Sequence, residues 1–231
     1  MKFTTVFFDI DYCLLDTPTS ERRIIRELYA QQGQTVGDEV GDTYREINRK
    51  LWVYLDAGQI TRERLYVMRF ERLFERYPFF KPAEEVAPWF LDQLAHAYDP
   101  QQGAAHLLER LHNAGARLFT ASNGIGEVMN GRVANAGLSQ WLDSKFAADD
   151  VGAMKPSPKY LDTIFKRSGA TDLSRTLMVG DNPVTDVNGA VEYGMTGALF
   201  GARYEEPSKA TFVAPTMAEL ERQLFADEAQ A

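Results

Sequence analysis

Cysteine is almost absent: Cys13 is the single one in 231 residues, so no intramolecular disulfide can form, and a reducing compartment is expected. Long apolar runs are missing as well. No stretch approaches the ~20 residues needed to span a bilayer, and the N-terminal "MKFTTVFFDID" lacks both the apolar length and the small-residue cleavage site of a secretory signal, which makes a cytoplasmic location the expectation. Positive charge is in deficit, with 25 Lys and Arg against 33 Asp and Glu, and the net −8 repels nucleic acid polymers and anionic membranes at long range. Any anionic partner must therefore be attracted by a local positive site. The three histidines, His96, His106 and His112, fall in helical patterns without metal-ligand spacing. No G-x-x-x-x-G-K-[ST] occurs, and in "NGIGEVMNG" Met129 stands where a dinucleotide fingerprint needs its third glycine. A thiol nucleophile at Cys13 would need an arginine six positions on, where the chain has Thr19.

What is present is an ordinary globular composition, 45% apolar and 25% charged. Short β-rich segments at "FTTVFF", "RLFTAS", "KFAA", "TLMVG" and "TGALF" alternate with helical patterns, which predicts an α/β fold with a parallel sheet covered by helices on both faces. Helix signals are explicit in "SPKYLDTIFKRSG", with Ser157 as N-cap, Pro158 in the first turn and Gly169 as stop. A second helix is expected to start at Asp99-Pro100 and to end at Gly115. Between the first two strands lie about one hundred residues, far more than an ordinary crossover needs. Residues 18–98 show helical spacing without a convincing strand, and Tyr66, Phe70, Leu73, Phe74 and Tyr77 share one face, the pattern of a bundle core. The expected organisation is a Rossmann-like catalytic core of 1–17 and 99–231 with an inserted helical-bundle domain at 18–98. The tail "ADEAQA" is expected to fray.

In an open parallel sheet, ligands bind beyond the carboxyl ends of the strands. Here those ends are polar: Asp9 and Asp11 after the first, Ser122-Asn123-Gly124 after the second, Asp181 and then Asp186 after "TLMVG". Carboxylates converging on one pocket repel each other unless a hard cation joins them, and oxygen-only ligands suit Mg²⁺.

In this order, "DIDYCLLD", "TASNG", "KPSPKYL" and "GDNPVTD" resemble the four motifs of the haloacid-dehalogenase-like hydrolases, over nearly the whole chain. The insert resembles the helical cap of one large branch of that family. The resemblance implies that Asp9 is a nucleophile forming an aspartyl-phosphate and that Asp11 is the general acid and base. It implies phosphoryl binding by Ser122, Asn123 and Lys155, with Mg²⁺ held by Asp9, Asp11 (through its backbone carbonyl) and Asp181. Asp186 becomes a carboxylate behind them that orients water or Lys155. Haloacid dehalogenases lack an acid two residues after the nucleophile, so Asp11 favours phosphate transfer. Many members have glycine or a short polar residue where this chain has Tyr12. Residues 47–73, with Asn48, Leu51, Trp52, Gly58, Ile60 and Thr61, resemble the cap of bacterial pyrimidine 5′-nucleotidases. A small phosphorylated metabolite, a pyrimidine nucleoside 5′-monophosphate, is thus the implied substrate. Small sugar or acid phosphates such as phosphoglycolate are the alternative, and a non-catalytic binding protein is disfavoured by the intact acidic and basic set.

Overall fold

Apolar, β-branched and aromatic runs form the strands β1 (Thr5–Phe8), β2 (Arg117–Ser122), β3 (Ser144–Ala147), β4 (Thr176–Gly180), β5 (Thr196–Phe200) and β6 (Phe212–Ala214). The structure, a computed structural model, describes residues 2–201 and 206–226. The last five residues of the tail expected to fray, 227–231, lie outside the described residues. Among the described residues the strands form one parallel sheet in the order β3-β2-β1-β4-β5-β6. Every residue of β1 and β4 is buried, as in a sheet covered on both faces. The sixth strand was not evident in sequence because "FVA" is too short for an apolar pattern to register and is only partly buried.

The helices are α1 (Thr17–Ala30), α2 (Asp38–Asp56), α3 (Arg62–Arg76), α4 (Ala83–Ala95), α5 (Ala104–Asn113), α6 (Gly126–Asn135), α7 (Ala148–Val151), α8 (Pro158–Ser168), α9 (Gly189–Tyr193) and α10 (Met217–Leu224). The chain divides into two compact units, Met1–Asp16 with Tyr98–Ala231, and Thr17–Ala97. The second unit is the four helices α1–α4. Its centre is aromatic: Tyr44 lies 4.9 Å from Phe90 and 5.5 Å from Phe70, and Phe70 lies 5.2 Å from Phe90. No helix among the described residues is long and apolar enough to cross a membrane.

Capping fixes α8 as the letters suggest. The Ser157 hydroxyl accepts from the Tyr160 N–H, and Gly169 closes the helix in the left-handed conformation. The α5 expectation needs correction, because the helix starts at Ala104 rather than at Asp99-Pro100. Pro100 bridges to Leu15 and the Gln101 N–H donates to Leu14 O, so these residues serve the chain leaving β1; left-handed Gly103 (φ 84°) then turns into the helix.

Sheet order reverses between β1 and β4, the switch point where such folds bind ligands. Beneath it, Phe7, Phe119 and Phe146 pack together, with Phe119 5.3 Å from Phe7 and 5.8 Å from Phe146. Phe119→Ala empties a fully buried site and is expected to cost about 3–5 kcal/mol, read as a lower denaturant midpoint; a midpoint equal to the parent's would contradict this packing.

Candidate active site

Asp9 follows β1 directly, and its N–H donates to Val179 O (2.8 Å), which holds the ends of β1 and β4 side by side. Its carboxylate is buried against Lys155, itself 3% exposed. The Lys155 ammonium donates to Asp9 Oδ1 (2.5 Å) and to Ala121 O (2.6 Å) and pairs with Asp186 Oδ1 (2.9 Å). Three protons meet three acceptors, so the buried cation is fully satisfied.

Asp186 sits in a π-helical turn (Pro183–Asn188). Its Oδ2 accepts from the Asn182 N–H (3.1 Å) and its Oδ1 from the Thr185 hydroxyl (3.2 Å). This carboxylate packs against the end of β4, where a Cβ on Gly180 would lie 2.2 Å from Asp186 Oδ2, so the strand must end in glycine. Oxygens of Asp9, Asp181 and Asp186 all lie within 4.8 Å of one another, a set able to hold a hard cation.

Three carboxylates around one ammonium leave negative charge in excess. Burial, reinforced by Asp186 and Asp11 and opposed by Lys155, pushes Asp9 up to about 7. Burial works against the charged form of Lys155, yet Asp186 and Asp9 outweigh it and raise its pKa above the usual lysine range. A cation among the three carboxylates would favour ionised Asp9.

Asp11 has a cationic partner on another element. Its Oδ1 accepts from Arg132 Nη1 at 2.5 Å, and the Arg132 side chain, on α6, is fully buried. Sequence reading missed Arg132, although it lies on the α6 face of buried Val128 and Met129, an odd place for a charge. Directly after Asp11, Tyr12 adopts φ 60°, a left-handed conformation that glycine enters without strain and tyrosine does not. The neighbouring Cys13 is buried against Val179 O (3.9 Å), and burial, followed by Asp9, Asp181 and Asp186, raises its thiol pKa. It stays a neutral, packed thiol.

At the end of β2 the Ser122 hydroxyl accepts from the Gly124 N–H (3.0 Å). Asn123 lies before α6, which begins at Gly126, whose N–H is capped by the Asp149 carboxylate (3.0 Å). The Asn123 carboxamide instead brackets the backbone of Lys155, accepting from its N–H (2.7 Å) and donating to its carbonyl (3.0 Å). Asn123 thus aims Lys155. The fold therefore brings Asp9, Lys155, Asp181 and Asp186 into one cluster, with Ser122 and Asn123 on the adjacent strand end and Asp11 turned to Arg132.

A family model described as haloacid dehalogenase-like hydrolase matches residues 3–194. Pyrimidine 5′-nucleotidase PynA of Streptococcus pneumoniae is 28% identical over 206 residues, 89% of this chain and 87% of that protein. Pyrimidine 5′-nucleotidase YjjG of Escherichia coli is 29% identical over 218 residues, 94% and 93% of the two chains. Among solved structures, the putative HAD-hydrolase YfnB of Bacillus subtilis, bound to magnesium, superposes with a TM-score of 0.88 at 23% identity, covering 97% of this chain and 99% of that one, a likeness of fold. With its strand order, its polar strand ends and a match over most of its length, this chain belongs to the haloacid dehalogenase-like hydrolases.

Proposed function

We propose that this hydrolase is a Mg²⁺-dependent phosphatase of nucleoside 5′-monophosphates, preferring pyrimidine bases. The observation that carries the chemistry is the buried Asp9 carboxylate, fixed on Lys155, with Asp181 and Asp186 within 4.8 Å and a separate acid, Asp11, two residues on. Two relatives that match nearly end to end are pyrimidine 5′-nucleotidases, which supports the choice of substrate.

In this reading an Asp9 oxygen attacks phosphorus, and the bond from phosphorus to the ester oxygen breaks as the aspartyl-phosphate forms. Asp11 protonates the departing oxygen, then takes a proton from water as that water attacks phosphorus and releases phosphate and Asp9. Lys155 offsets charge on the phosphoryl oxygens, and Ser122 adds a hydroxyl donor. Asp9, Asp181 and the Asp11 backbone carbonyl would hold Mg²⁺, while Asp186 keeps Lys155 in place. The bound ion would supply positive charge that an acidic protein otherwise lacks there. A halide leaves without a proton, so an acid held at Asp11 suits an alcohol leaving group better than carbon–halogen cleavage. The core unit would serve any phosphate ester, and the Thr17–Ala97 unit would select the alcohol.

Phosphate release from UMP, dUMP and TMP is the direct test. Mg²⁺-dependent turnover of these, abolished by chelation and lowered by several orders of magnitude in Asp9→Asn, is expected; turnover confined to sugar phosphates or phosphoglycolate would overturn the substrate reading. The Arg132 contact gives a second test through the leaving group. Arg132→Gln removes the ion pair to Asp11, and because acid assistance is worth about 10²–10⁴-fold for a poor leaving group, the loss on UMP should exceed the loss on p-nitrophenyl phosphate by about 10-fold or more. Equal losses on both esters would remove Arg132 from the role of positioning the acid.

A further inference from the structure

Tyr160, in the first turn of α8, is fully buried in the same apolar core as Phe7, Phe119 and Phe146. Phenylalanine would fill that space as well, so packing alone does not call for the hydroxyl. Its O–H donates to Phe146 O (2.9 Å), and Ser122 O lies at 3.4 Å as a second acceptor for the same proton. One side chain thus reaches the carboxyl ends of β3 and β2 together. The pairing of these strands stops at Ser122 and Ala147, so a carbonyl there draws its donor from outside the ladder. Burial raises the phenol above the usual tyrosine range and keeps it a neutral donor.

The neighbours of Ser122 are held by the same segment. Lys155 Nζ donates to the carbonyl of Ala121, the residue before (2.6 Å), and the carboxamide of Asn123, the residue after, brackets the Lys155 backbone (2.7 and 3.0 Å). Three successive residues at the end of β2 are therefore each tied to residues 155–160, and the tie on the middle one is the Tyr160 hydroxyl. The Ser122 hydroxyl oxygen accepts from the Gly124 N–H (3.0 Å), which leaves its proton to donate. Where that proton points follows from where the Ser122 backbone is fixed.

We infer that Tyr160 is a positioning residue: by holding the Ser122 carbonyl it sets the Ser122 hydroxyl for an oxygen of the phosphoryl group. The inference rests on the phosphatase reading above, in which Ser122 donates to that group, and is independent of which alcohol leaves. The competing role is a tie between β2 and β3 that serves folding alone.

The test is a double-mutant cycle of Tyr160→Phe with Ser122→Ala, read as kcat/KM for p-nitrophenyl phosphate and as affinity for inorganic phosphate with Mg²⁺, at matched concentrations of folded protein. Tyr160→Phe should lower both about 10-fold, the scale of one hydrogen bond, and should lower neither further in the Ser122→Ala background. Losses of equal size in the two backgrounds, or no loss in the parent background, would overturn the inference and leave Tyr160 a structural tie. Ser122→Ala with the parent's turnover and phosphate affinity would instead remove Ser122 from the phosphoryl group and overturn the reading on which the inference rests.

Discussion

The ammonium of Lys155, shared between Asp9, Asp186 and the Ala121 carbonyl, is the contact on which the acidic end of the sheet depends. A buried charge without partners costs several kcal/mol, so neither the lysine nor the two carboxylates could be there alone. The surroundings hold this arrangement in place. Asn123 brackets the Lys155 backbone, the Ser157 cap starts α8 two residues later, and two glycines make room: Gly180 for Asp186, and Gly189 for Pro156, whose Cβ would lie 2.3 Å from a Cβ there. The charge count completes the logic. One ammonium does not neutralise three carboxylates, so the cluster retains a proton near neutrality or takes a cation, and either outcome follows from burial rather than from any one residue.

Separate acids with separate partners are what distinguish this site from a simple acidic cluster. Asp9 faces a lysine and Asp11 faces an arginine from another element, although the two are only two residues apart. The left-handed turn at Tyr12 follows at once and redirects the chain toward buried Cys13 and Leu14. Tyrosine there accepts a backbone conformation that glycine would adopt freely, a local cost tied to the position beside both acids.

Much of this was legible because it is local. Apolar runs ending in Asp9, Ser122 and Asp181 mark parallel strands by themselves, and Ser157, Pro158 and Gly169 write out the limits of α8. The aromatic spacing in 66–77 placed Phe70 and Leu73 in a core, whereas Tyr66, Phe74 and Tyr77 on the same face are only half-buried. What stayed hidden depends on pairs distant in sequence. Asn123 acts on a residue 32 positions away, and Arg132 reaches an acid 121 positions away, so no window of sequence contains either interaction. The start of α5 was misread for the same reason: the Asp99-Pro100 signal is overridden by pairing with Leu14 and Leu15, which only the fold brings near.

In the proposed mechanism Asp9, gripped by Lys155, forms a covalent bond to phosphorus. Mass analysis of the peptide carrying Asp9, after acid quenching during turnover of UMP with Mg²⁺, tests it most directly. A mass increase of one phosphoryl group located on Asp9 and absent from Asp9→Asn is expected. Steady turnover with no phosphorylated peptide in either protein, and with Asp9→Asn retaining activity, would contradict it.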